Sequence, residues 1–149
     1  MKKWQRWVRD AVVLGLAWAV LWAPFAVLIG TTIVDPDNSM DEMWVVIGAY
    51  PAFLCAVIFS AMLSVAERGR RLSELPVARA STWGALAGLL VGVFPFTVGT
   101  PSTALPLWLL GVSMIGSITL MSAVSAVGSV LLARMAKKRE FRDASADLA

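Results

Sequence analysis

All thirteen Lys and Arg residues of this chain fall in three clusters, separated by two long stretches without a single basic residue. The clusters are Lys2, Lys3, Arg6 and Arg9; then Arg68, Arg70, Arg71 and Arg79; then Arg134, Lys137, Lys138, Arg139 and Arg142. Between them lie four apolar segments, residues 11–34, 43–66, 81–98 and 107–133, none of which contains Asp, Glu, Lys, Arg or His. A helix rising about 1.5 Å per residue needs roughly 20 apolar residues to cross a hydrocarbon core about 30 Å thick. Three segments meet that length outright, and Pro76 and Trp83 allow the third to begin earlier. Basic residues collect on the cytoplasmic side of membrane proteins, so the charge pattern assigns both termini and the middle loop to the inside. The expected fold is all-α: a compact four-transmembrane-helix bundle, N-in and C-in, with residues 1–149 forming one membrane domain. The outer loops are residues 35–42, with four carboxylates and no base, and residues 99–106, with no charge.

With 58% apolar residues in 149, little is left over for a soluble domain. The first segment reads as a retained span rather than a signal peptide, because its small-x-small site at Ala17 and Ala19 comes too early and Pro24 blocks cleavage after Ala23. Cys55 is the only cysteine and lies inside a predicted span, so no internal disulfide is available. The basic flanks of the spans suit an anionic membrane surface, where each Lys or Arg is worth about 1 kcal/mol. Lys2, Lys3, Arg6, Arg9, Arg134, Lys137, Lys138 and Arg139 are the expected anionic-lipid contacts, and nucleic acid is not an expected partner.

Helices in lipid associate through small residues that let their backbones approach. Such a stripe runs through Gly48, Ala52, Ala56, Ser60 and Ser64 in the second segment and through Ala80, Gly84, Gly88 and Gly92 in the third. The first carries Ala11, Gly15, Ala19 and Ala23, and the fourth carries Ser125, Ser129 and Ala133. Pro24, Pro51 and Pro95 lie inside spans and should kink them. A faint echo of Arg9, Pro24-Phe25 and Gly30-Thr31 in Arg79, Pro95-Phe96 and Gly99-Thr100 suggests two parallel helical-hairpin repeats.

The acidic run from Asp35 to Glu42 invites a calcium reading, but Ser39 followed three residues later by Glu42 is the pattern of a helix capping box. The glycine and distal glutamate of an EF-hand loop are missing, so no metal site is expected.

Five of the seven tryptophans suit the two aromatic belts of a membrane protein: Trp4, Trp7 and Trp83 inside, Trp44 and Trp108 outside. Trp18 and Trp22 lie deep in the first span, one turn apart, and Phe25 extends their face. Two readings are open. The indoles can face outward, about 100° round the helix from the small-residue stripe, towards a partner chain, a pigment or quinone, or lipid. Alternatively they fold into the bundle and donate to a carbonyl freed by a proline. The outward reading makes Trp18, Trp22 and Phe25 the expected partner or pigment interface.

Absences shape the functional expectation. Without histidine the chain lacks the usual haem or pigment ligand and an imidazole base, and without ionisable residues in the spans it lacks a proton relay. No nucleophile–base pair or phosphate-binding loop is present, and no catalytic residues are expected. These features point to a non-catalytic accessory subunit of a larger membrane complex, respiratory or photosynthetic complexes being natural hosts. Such a subunit would bind no cofactor of its own and would touch lipid, quinone or pigment held by other membrane subunits. The alternative is a small transporter or lipid-handling protein working without proton-coupling carboxylates. The expected location is a bacterial inner membrane.

Overall fold

The computed structural model describes residues 3–34, 41–67, 72–98 and 106–146. Four helices make up nearly all of it: α1 (Lys3–Ile29), α2 (Asp41–Ala66), α3 (Val77–Val98) and α4 (Leu107–Ala146). Each is long and apolar enough to cross a membrane, and no strand occurs among the described residues. Side chains such as Val20, Leu120 and Val98 are more than two-thirds exposed, an apolar surface that water would not tolerate at this extent but hydrocarbon would. The helices outrun the apolar segments at the end where the termini lie, here called the basic end. There α1 takes in Arg6 and Arg9, α3 starts directly after Pro76, and α4 carries its apolar stretch on into Arg134 and beyond. At the opposite, far end, α1 continues into a π-helical turn, Gly30–Val34, in which Thr31 donates back to the Val27 carbonyl. The Ser39–Glu42 capping box and the carboxylates of residues 35–40 lie outside the residues and side chains described.

Packing builds two antiparallel hairpins, and glycine sets how closely each one shuts. In the first, a Cβ at Gly48 of α2 would lie 2.5 Å from Ala26 Cβ and 2.9 Å from the Trp22 carbonyl oxygen of α1. In the second, the close approach belongs to α3: a Cβ at Gly84 would meet Ala126 and the Ser122 carbonyl, one at Gly88 would lie 2.7 Å from Thr119 Cα, and one at Gly92 would lie 3.0 Å from Ile115 Cα. The hairpins thus differ in which member carries the glycines. Because helices separated by less than a methyl group gain many dispersion contacts, these seams hold each pair together without a hydrophobic force.

The stripe of α2 behaves unevenly along its length. Gly48, Ala52 and Ala56 are buried, Ser60 is half-buried, and Ser64 is exposed and donates to the Ala61 carbonyl of its own helix. A step of four residues turns 400°, so the row drifts about 40° each time and leaves the interface after four steps. Ser64 is therefore not a packing residue, contrary to expectation. Trp44, in the first turn of α2 at the far end, is buried, with its indole against Gly30.

At the basic end the turn between α2 and α3 is tied to α4. Leu75 is buried with Ala80 and Val130, and the Arg134 guanidinium donates to the carbonyls of Leu75 at 2.9 Å and Ser73 at 3.3 Å. Lys137 pairs with Glu74 at 3.6 Å, and Arg79 with Glu67 at 3.2 Å. The Lys137–Glu74 pair is open to solvent and adds little stability, whereas the Glu67 carboxylate that Arg79 meets is nearly buried; the two carbonyls capped by Arg134 tie the turn to α4 directly.

Candidate functional site

The hairpins meet differently at their two ends. Around mid-span and towards the basic end, Trp18 of α1, Ala52, Cys55, Ala56 and Phe59 of α2, Ala87 and Val91 of α3, and Ala126 of α4 form one buried core. Trp18 is 3% exposed and stacks at a tilt on Phe59, with ring centroids 5.6 Å apart. Its indole N–H donates to the Ser129 hydroxyl of α4 at 3.0 Å, and Ser129 donates onward to the Ser125 carbonyl at 2.8 Å. One turn along, the Trp22 indole N–H donates to the Ser125 hydroxyl at 2.7 Å. Antiparallel helices pair a four-residue step on one with a four-residue step on the other, so Trp18 and Trp22 meet Ser129 and Ser125 in register.

This corrects the outward placement of the indoles. Trp18 has no surface left to offer a partner or pigment, and Trp22 is half-buried with its N–H committed inside the bundle. The cause is that α1 and α4 are not brought together by small residues, so large side chains must fill the space between them. An indole N–H at this depth has no water to bond, and a serine hydroxyl on the facing helix supplies the acceptor. The acceptors are hydroxyls rather than proline-freed carbonyls. Phe25 does lie at the surface, about half exposed, with its ring 5.5 Å from that of Trp22.

Beyond Trp22, towards the far end, the bundle opens. A cleft of about 470 Å³ lies among α1, α2 and α4, lined by the half-buried Trp22 and Met121 and by the more exposed Phe25, Ile29, Val46 and Ile47. A second, of about 570 Å³, lies among α2, α3 and α4, between Leu54, Ile58, Leu90, Phe94 and Pro95. Tyr50, Pro51, Met114 and Ile118 line both. The volumes fall in the range of about 300–1,000 Å³ typical of small-molecule sites. Neither lining contains a charged residue. Ser117, the one serine in the first cleft, donates to the Met114 carbonyl of its own helix at 3.1 Å.

Two hydroxyls on the buried side of α4 are left over. Ser122 is fully buried and its hydroxyl has no hydrogen-bond partner, facing only the Cys55 sulfur, a weak acceptor; Thr119 Oγ1 is buried and unpaired. Both sit where α3 presses against α4 through Gly88, and neither lines either of the two clefts. Among the described residues no three His, Cys, Asp or Glu side chains converge as a metal site would require.

Of the expected anionic-lipid contacts, Arg6, Lys138 and Arg139 are exposed, Arg9 pairs with Asp10 at 3.0 Å, and Arg134 and Lys137 are engaged by the α2–α3 turn. Lys2 lies outside the described residues, as does the side chain of Lys3. Sequence reasoning missed the clefts altogether and missed the acceptors of Trp18 and Trp22. Serines four apart on the fourth segment, matching tryptophans four apart on the first, were the available signal for the second. No protein family, curated protein or solved structure matches this chain.

Proposed function

We propose that this chain is a non-catalytic integral membrane protein that holds a lipid-soluble molecule in the cleft among α1, α2 and α4. The observation that carries this reading is the cleft itself: about 470 Å³, apolar, set at membrane depth, and floored by an indole whose orientation is fixed by its bond to Ser125. A preformed apolar space with a rigid floor is how small-molecule sites are ordinarily built. The segregation of basic residues supports an orientation with both termini cytoplasmic, in a bacterial inner membrane. With both deep tryptophans spent inside the bundle, the lipid-handling alternative takes precedence over the accessory-subunit reading. The latter keeps one favourable observation: α4 runs on to Ala146, past its apolar stretch, as a basic arm that a partner could grip.

Gentle release from the bilayer followed by native mass spectrometry tests the proposal. A lipid-soluble adduct should survive detergent exchange on the wild type. It should be lost from Ser117→Trp, which fills the cleft from an exposed position without entering the glycine seams. A wild type free of adducts, or a variant that keeps them, refutes it.

A further inference from the structure

The two clefts share a wall. Each is lined by Tyr50 and Pro51 from α2 and by Met114 and Ile118 from α4. Within the first hairpin α1 is pressed against α2 at Gly48, so the first cleft opens between α1 and α4. Within the second hairpin α3 is pressed against α4 at Gly88 and Gly92, so the second cleft opens between α2 and α3. The two clefts thus lie on either side of the wall that α2 and α4 share. Only side chains separate them, and Met114 is unbranched, with three rotatable bonds.

The lining also says what sort of molecule fits. Trp22 N–H is committed to Ser125 and the Ser117 hydroxyl to Met114, which leaves the hydroxyl of Tyr50, an exposed side chain in the shared wall, as the remaining polar side-chain group of the two linings. No lining residue is charged, so no ionic substrate is held. Apart from the Tyr50 hydroxyl these walls offer water no side-chain partner beyond groups already bonded, and a predominantly apolar space of this kind stays dry. At this depth the surrounding medium is lipid hydrocarbon, and both mouths open sideways into it. Each methylene moved into such a space meets close-packed walls in place of mobile neighbours, which is a dispersion gain.

We propose that the two clefts are one lateral slot through the far half of the bundle, that its occupant is an acyl chain of a membrane phospholipid, and that Met114 is its movable partition. This rests on the reading of the first cleft as a binding site and adds the occupant and its route of entry. The Trp22–Ser125 bond and Met121 set the depth at which the chain stops.

The full-length protein in phosphatidylethanolamine–phosphatidylglycerol vesicles, with a trace of phosphatidylethanolamine carrying a diazirine in one acyl chain, allows a direct test. After irradiation, adducts are mapped by peptide mass spectrometry. Labelling should concentrate on Pro51, Met114 and Ile118 several-fold above the lipid-exposed Val13 and Leu120, and excess unlabelled phospholipid should suppress it only in the slot. Met114→Trp should reduce labelling of Pro51 and Ile118 several-fold while Val13 and Leu120 are unchanged, which also shows that the variant inserts and folds. Met114→Ala should label Ile118 at least as strongly as wild type. Even labelling of all sites without competition overturns the acyl-chain slot. If phospholipid fails to label the slot but a short-chain benzoquinone quenches Trp22 fluorescence, the acyl chain is wrong and the cleft reading stands. If neither happens, both fall.

Discussion

Replacing Gly88 with alanine introduces a single methyl group at the middle of the glycine seam between α3 and α4. That methyl carbon would lie 2.7 Å from Thr119 Cα, 2.8 Å from the Ile118 carbonyl oxygen and 2.9 Å from Ser122 Cβ. All three atoms are backbone or attached directly to it, so no rotamer change relieves the clash and the helices must separate. Overpacking of this kind costs about 1–3 kcal/mol, offset by about 0.5–1 kcal/mol for exchanging glycine for alanine in a helix, a net loss of up to roughly 2.5 kcal/mol. The same substitution at Gly116 or Gly128 of α4 meets nothing within 4 Å and keeps only the propensity gain. Gly15 falls between: its new methyl would meet the ring of Phe53, a side chain that can swing away. Unfolding free energies measured by steric trapping in bicelles should therefore rank Gly116→Ala and Gly128→Ala above Gly15→Ala, and Gly15→Ala above Gly88→Ala. If Gly88→Ala matched Gly116→Ala, the seam between α3 and α4 would not exist as described.

Other perturbations separate the remaining contacts. Trp22→Phe and Ser125→Ala, alone and together, should show a coupling of about 0.5–1.5 kcal/mol in the same assay, and additive losses would mean the bond contributes nothing. Ser122→Ala should be neutral or stabilise by up to about 1 kcal/mol, because it removes a buried hydroxyl that lacks a proper partner; a clear loss would point to a bond missed here. Arg134→Gln should speed amide exchange at Leu75 by up to about ten-fold without unfolding the bundle, since two turn carbonyls lose their charged donor, and unchanged exchange would show the turn holds itself. Reporters at residues 1, 75 and 149 should be cytoplasmic and those at 38 and 102 external; a mixed result at either terminus would break the orientation drawn from charge.

The four helices were legible because their cause is local: uninterrupted apolar runs bounded by basic clusters determine where a chain can cross lipid. The glycine seam of α3 was legible for the same reason, since Gly84, Gly88 and Gly92 repeat every four residues whatever they touch. Its partner was not, because nothing in that repeat distinguishes α4 from α2. The facing of Trp18 and Trp22 depends on the gap between α1 and α4, which is set by the other helix pairs and has no local signature. The clefts were still less legible: they are the space left beside the wall that Tyr50, Pro51, Met114 and Ile118 form where two hairpins, each sealed by its own seam, come together.

The contrast between a sealed basic half and an open far half is concentrated in two neighbouring residues. Trp18 is 3% exposed inside the core, while Trp22, one turn further on, forms the floor of the cleft. Variants retaining only Trp18 or only Trp22, with the other tryptophans replaced by phenylalanine, can be reconstituted with phospholipids brominated along their acyl chains, which quench indoles by contact. Strong quenching of Trp22 with little quenching of Trp18 is the result expected here. Equal quenching of both would mean the core around Trp18 is open to lipid, and no quenching of either would mean the cleft is closed.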